Sequence, residues 1–315
     1  MRYFRYFPWG FQVLMFIVLV FTMYCFAFWG LNFFLPRLTG LNIDFLDSLD
    51  EHSPYYQIRT GLYIQGITSL LFFALPAFLF AYLAHPRPMQ YLGLTKPGRN
   101  MQFLIVIILM LSAIPVLDFI ENLMSKLPMT ASMRNSQLQN EKISDAFLKM
   151  PDITALAATF IALAIIPALG EELFFRAIMM KFVKKQSKKM ILPVVFTAIV
   201  FALSHTNLLG LPSIFIAGVI LALIYYYTGS LWCSILGHCV FNGATVIITY
   251  FSGKNKNIET FFNNSFHAAI LIIICLIVCC GSFYLLIRTK TPLSDDWSDD
   301  FRGEIPDNGI EGTQN

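Results

Sequence analysis

Long apolar runs separated by short charged connections dominate the sequence, and most of the runs are apolar on every face. A bilayer core of about 30 Å calls for roughly 20 apolar residues in a helix rising about 1.5 Å per residue. Eight runs approach or exceed that length: residues 10–35, 62–84, 103–120, 153–180, 190–208, 211–228, 231–251 and 267–287. They predict an all-α fold, a polytopic transmembrane helix bundle of about eight spans, because lipid leaves no partner for unpaired backbone groups. The first run is longer than the apolar stretch of a signal peptide, about 7–15 residues, and no small-x-small cleavage site follows it. It reads as an uncleaved anchor.

The polar segments divide the chain further. Residues 1–150 form an N-terminal membrane region with three spans, 151–252 a core of four spans, 253–288 the last span, and 289–315 an acidic tail. Within the first region, Ile120, Leu123, Met124 and Leu127 show helical apolar spacing and are expected to lie on the outer membrane surface. The tail sets seven acids against Lys290 and Arg302 and is expected to be disordered. Lys and Arg also orient the bundle. Twelve lie before span one, between spans two and three, between four and five, and after eight, against eight in the alternate connections. Both termini are therefore expected in the cytoplasm, with the Lys181–Lys189 cluster as an anchor on anionic lipid. Short loops suggest a bacterial-type cytoplasmic membrane.

Composition narrows the function. The chain is 57% hydrophobic and 13% charged, against about 25% charged in soluble domains, which excludes an ordinary water-soluble enzyme. A net charge of +3 gives no phosphate-tracking surface, so nucleic acid is not an expected partner; the lipid bilayer is. All six Cys fall inside apolar runs and read as buried, unpaired thiols, with Cys233 and Cys239 filling space rather than binding a metal.

Against this background a few polar residues stand out. Span four contains Glu171, Glu172 and Arg176, and a charge at mid-membrane costs about 2.5–3.5 kcal/mol on insertion scales. Glu172 and Arg176 are spaced i, i+4, within ion-pairing reach, while Glu171 has no local partner. Gly170 permits close approach of another helix. His205 ends span five, and His238 lies in span seven with Asn242 one turn further on the same face. His52, His85 and His267 fall in connections or at a span edge, within reach of water. At about 1.5 Å per residue, Glu171, His205 and His238 lie roughly 21, 24 and 14 Å from the cytoplasmic ends of their spans, so a shared site reached from the cytoplasm is expected.

A Glu beside a His can hold a water, take its proton and aim its oxygen at a carbonyl. A second His with an Asn one turn away can donate to the oxyanion that forms. The same Glu171, His205 and His238 can instead be three ligands of a catalytic zinc with an open fourth position. Other intramembrane schemes lack their residues: there is no H-E-x-x-H helix, no G-x-S-x-G elbow and no pair of membrane Asp. Two readings outside proteolysis remain. One is a proton-coupled transporter, favoured mildly by Pro167 and Pro193 inside spans; the other is a non-catalytic scaffold or immunity-type protein.

The ordered set Glu171-Glu172-x-x-x-Arg176, Phe201-x-x-x-His205 and His238-x-x-x-Asn242 resembles the CPBP family, the CAAX-protease and bacteriocin-processing intramembrane endopeptidases, which includes the type II CAAX prenyl endopeptidases. The likeness covers about a third of the chain, residues 151–251. It implies a membrane endopeptidase in which Glu171 activates water with help from His205, His238 and Asn242 stabilise the oxyanion, and Glu172 and Arg176 brace the site. The family has been described both as metalloproteases and as glutamic proteases, so zinc stays open; the glutamic version is preferred here. The substrate is expected to be a membrane-associated peptide or protein, with a lipidated C-terminus and a secreted peptide precursor as the two candidates.

Overall fold

The computed structural model describes residues 3–252, 265–293 and 297, with the side chains of 265–267 left aside. Ten helices account for most of the chain among these residues: α1 Trp9–Thr39, α2 Tyr55–Ala84, α3 Pro88–Tyr91, α4 Met101–Met124, α5 Ala131–Phe147, α6 Ile153–Gln186, α7 Ile191–Leu203, α8 Leu211–Thr228, α9 Leu231–Ser252 and α10 Ser265–Arg288. There is no strand among them. Seven helices are long and apolar enough to cross a membrane, which makes this an integral multi-pass membrane protein built as an all-α bundle. α6 lies at the centre against α2, α7 and α9, while α8 fills the space between α7, α4 and α9. α1 and α10 are peripheral and leave rows of large apolar side chains exposed, Phe21 and Ile277 among them, as a lipid-facing helix should.

The expected fifth span is shorter than predicted. α7 has 13 residues, about 20 Å of helix and less than a bilayer core. It stops because two side chains compete for the carbonyls of its last turn. Ser204 Oγ donates to the Phe201 carbonyl at 2.7 Å and His205 Nδ1 lies 2.8 Å from the same oxygen. His205 consequently stands past the helix end.

The segment expected on the outer surface is also placed differently. Ile120, Leu123 and Met124 continue α4 to its end, because their helical spacing extends that of the span before them. The separate polar helix is α5, capped by Thr130, whose hydroxyl accepts from the Met133 amide. It buries Ala146 and Phe147 against Leu49, Ile58 and Leu62. Sequence periodicity hid α5 because it is polar nearly all round.

Four further expectations change. Lys181 is buried, not turned to lipid: Nζ donates to the Tyr91 carbonyl at 2.6 Å and sits 3.5 Å from the Tyr91 ring centre. Lys185 reaches Gln12 Oε1. His85 is buried as well, stacked on Tyr91, its Nδ1 accepting from the Arg87 amide. The six thiols are unpaired, yet only Cys233 is fully buried, and Cys25 and Cys280 are exposed. The first residues of the tail are tied down: the Thr291 and Leu293 amides donate to the Tyr227 and Tyr226 carbonyls, and Trp297 packs edge-on against Tyr225. The remainder of the acidic tail, expected to be disordered, lies outside the described residues, as does the side chain of His267.

Candidate active site

α6 is not a uniform α-helix. Two widened π-helical turns interrupt it, Ile161–Ile165 and Glu172–Met179; such turns recur at functional sites. In the second, each residue advances by less than the 100° of an α-helix, so neighbouring side chains fan out less. Glu171 and Glu172 thereby approach the same imidazole. Gly170, just before them, meets the backbone of α2, where an added Cβ would stand 3.4 Å from both the Ala74 nitrogen and the Ser69 carbonyl oxygen. This is the close approach the sequence suggested.

Glu172 is the hub of the site. It is fully buried, and three side chains converge on its carboxylate. Arg176 Nη1 donates to Oε1 at 2.8 Å, His238 Nδ1 lies 2.9 Å from the same oxygen, and Ser234 Oγ donates to Oε2 at 2.6 Å. Arg176 is equally buried and spends Nη2 on the Gly218 carbonyl at 3.1 Å, while its guanidinium lies 4.5 Å from the Phe201 ring centre. A charge pair fully out of water persists only when paired and hydrogen-bonded; here Arg176 Nε alone of the pair's buried polar atoms lacks a partner among the described residues. The i, i+4 pair read from the sequence is therefore a pair, and its reach extends to α8 and α9.

With Glu172 on Nδ1, the other nitrogen of His238 faces Glu171: Nε2 and Glu171 Oε2 stand 3.8 Å apart. That is too long for a direct hydrogen bond. Glu171 Oε2 is buried and has no hydrogen-bond partner.

His205 does not join this pair directly. Its ring is half-buried, Nδ1 is engaged by the Phe201 carbonyl, and no ion pair links it to Glu171 among the described residues. It flanks the Phe201 ring at 4.8 Å, and His238 flanks the same ring at 5.7 Å. Phe201 thus separates and orients both imidazoles. Asn242 lies on the His238 face of α9, but its Nδ2 donates to the Leu163 carbonyl of α6 at 3.3 Å, leaving its second N–H for another acceptor.

As zinc ligands, Glu171, His205 and His238 do not fit in this arrangement: no three His, Cys, Asp or Glu side chains among the described residues stand close enough to share a metal ion. Two participants escaped the sequence reading. Ser234 was marked only by its position one turn before His238 on α9. The Gly218 carbonyl carries no sequence signal beyond a glycine, although an added Cβ there would stand 3.2 Å from the Ala198 Cα of α7.

A multi-pass helix bundle with a buried carboxylate–imidazole–guanidinium cluster defines a membrane protein with a polar site inside its apolar body. Residues 153–244, under a third of the chain, match the family described as type II CAAX prenyl endopeptidase Rce1-like. The matched stretch contains Glu171, Glu172, Arg176, Phe201, His205, His238 and Asn242. Comparison with curated proteins finds no match, and comparison with solved structures finds none either.

Proposed function

We propose that the protein is an intramembrane endopeptidase that hydrolyses a peptide bond of a membrane-associated protein or peptide with a water activated by Glu171. One observation carries the reading: Glu171 Oε2, buried and unpartnered, faces His238 Nε2 across 3.8 Å. A buried acceptor without a donor is costly, which leaves this carboxylate poised to take a proton, and the Glu171 side chain retains 12% exposure through which the attacking water would approach.

In this reading Glu171 takes a proton from the water as its oxygen adds to the scissile carbonyl carbon. His205 assists from the other side of Phe201. Carrying both ring protons, His238 donates Nδ1–H to the Glu172 carboxylate and Nε2–H to the oxyanion, which the second N–H of Asn242 also meets. Glu171 then passes its proton to the departing amine, and the C–N bond breaks to give a carboxylate and an amine. Glu172, Arg176 and Ser234 hold His238 in place. No step runs through a metal. Both termini lie in the cytoplasm in this reading, with the membrane of the cytoplasmic type.

The test uses the purified chain in liposomes and a farnesylated C-terminal peptide as probe. Glu171→Gln and His205→Ala are each expected to lower cleavage by at least about 100-fold, within the range of lost acid–base catalysis. A strong chelator is expected to leave cleavage intact. Wild-type rates in both variants would reject the assignment, and loss of activity on chelation restored by zinc would reject the metal-free version.

A further inference from the structure

The loop that carries His205 is held by side chains from two helices that supply nothing to the chemistry described above. Because α7 ends at Leu203, no helical ladder fixes the backbone between Ser204 and Gly210. Asn207 stands two residues after His205. Its Nδ2 donates to Glu121 Oε1, on the last turn of α4, at 2.8 Å, and its Oδ1 accepts from the Gly210 amide at 3.0 Å, closing the turn into α8. The turn is tight enough that a Cβ at Gly210 would stand 2.6 Å from Asn207 Nδ2. Beside it, the Thr206 carbonyl accepts from Asn140 Nδ2 of α5 at 2.9 Å. Among the described residues the imidazole of His205 has only the Phe201 carbonyl and the neighbouring Ser204 hydroxyl as polar contacts, so its position depends on the backbone that bears it.

We infer that Glu121 is a positioning residue for His205, acting through Asn207. Its carboxylate makes a charge-assisted hydrogen bond that fixes the loop and with it the distance from the imidazole to the Glu171–His238 pair. Asn207 serves both ends, since its amide donates outward to α4 while its oxygen organises the loop. The inference rests on the reading of His205 as an assistant to Glu171.

The experiment compares Glu121→Ala, Asn207→Ala, His205→Ala, the Glu121→Ala/His205→Ala double variant, and a swap combining Glu121→Gln with Asn207→Asp. All are full-length chains in liposomes acting on the farnesylated peptide. A small displacement far from the bond being cleaved can cost about 100-fold, so Glu121→Ala and Asn207→Ala are expected to lower kcat about 10–100-fold with KM nearly unchanged. The double variant is expected to be no slower than His205→Ala alone. The swap reverses donor and acceptor while preserving an oxygen for the Gly210 amide, and is expected to restore kcat. A loss of stability alone would instead multiply with the His205 loss and would not be rescued by the swap; either result overturns the inference, as does full kcat in Glu121→Ala.

Amide exchange of residues 204–210 gives a readout independent of catalysis, expected to accelerate by about tenfold or more in Glu121→Ala and Asn207→Ala as the loop loosens. Unchanged protection overturns the inference whatever the activity. If His205→Ala cleaves like wild type, the catalytic reading falls; if it is inactive while Glu121→Ala is fully active, only the positioning role falls.

Discussion

Glu172 shows how a single buried charge organises its surroundings. Its carboxylate is bound by Arg176, His238 and Ser234 from two helices. Removing one partner of a buried pair typically costs about 3–5 kcal/mol because the other charge is stranded. Glu172→Ala is therefore expected to lower thermal stability in detergent strongly, and Glu172→Leu combined with Arg176→Met to recover much of that loss. If the single variant melts like wild type, the cluster is not held as described. Ser234→Ala removes one hydrogen bond to a charged acceptor, about 1.5–3 kcal/mol, and is expected to slow cleavage by freeing Glu172 from one side. At this scale the sequence exposed the residue types well. Glu171, Glu172, Arg176, His205 and His238 announce themselves as polar groups in apolar runs. It could not say which acid would take the hub, because that depends on the widened turn beginning at Glu172.

Among elements, the decisive feature is the close contact of α7 with α8. Gly218 lets the two approach, with an added Cβ placed 3.2 Å from the Ala198 Cα and from the Phe201 ring. Gly218→Val is expected to cost about 1–3 kcal/mol through overpacking and to shift Phe201, the ring that both imidazoles flank. Thermal unfolding measured together with kcat checks this; an unaltered melting temperature and rate would show that the contact yields easily. The spans themselves were legible from length and apolarity, whereas the end of α7 was not. A hydropathy run continues through Leu208 and cannot register that Ser204 and His205 bind the carbonyls of the preceding turn. The polar helix α5 was hidden for the opposite reason, since it has little apolar periodicity and is fixed instead by bonds such as Asn140 to Thr206 and Lys149 to the Glu51 carbonyl.

The whole molecule ties its last described residues to α6. Gln102 Nε2 on α4 donates to the Thr289 carbonyl at 2.9 Å, the Thr291 amide donates to Tyr227 on α8, and Trp297 stands 5.7 Å from Lys181 Nζ on α6. Thr291, Trp297 and Lys181 border a cavity of about 320 Å³ that also includes Tyr91, Lys96 and Tyr225. Truncation after Leu293 removes Trp297 while keeping the hydrogen-bonded strap, and is expected to raise amide exchange across residues 180–186 severalfold, as local opening becomes easier. Exchange that stays at the wild-type level would show that Trp297 lends α6 no support.

Local apolarity and helical spacing determined that this chain enters a membrane as a helix bundle, and that three of its segments carry charge and imidazole at a cost needing compensation. Those properties are additive along the sequence, so they can be read without a fold. Tertiary structure decided that Glu172, already paired with Arg176 by its spacing, also takes His238 and Ser234, that His205 stands apart behind Phe201, and that Lys181 is buried under Tyr91. Each depends on contacts between helices distant in sequence and on departures from ideal helix geometry, which no periodicity within one segment encodes.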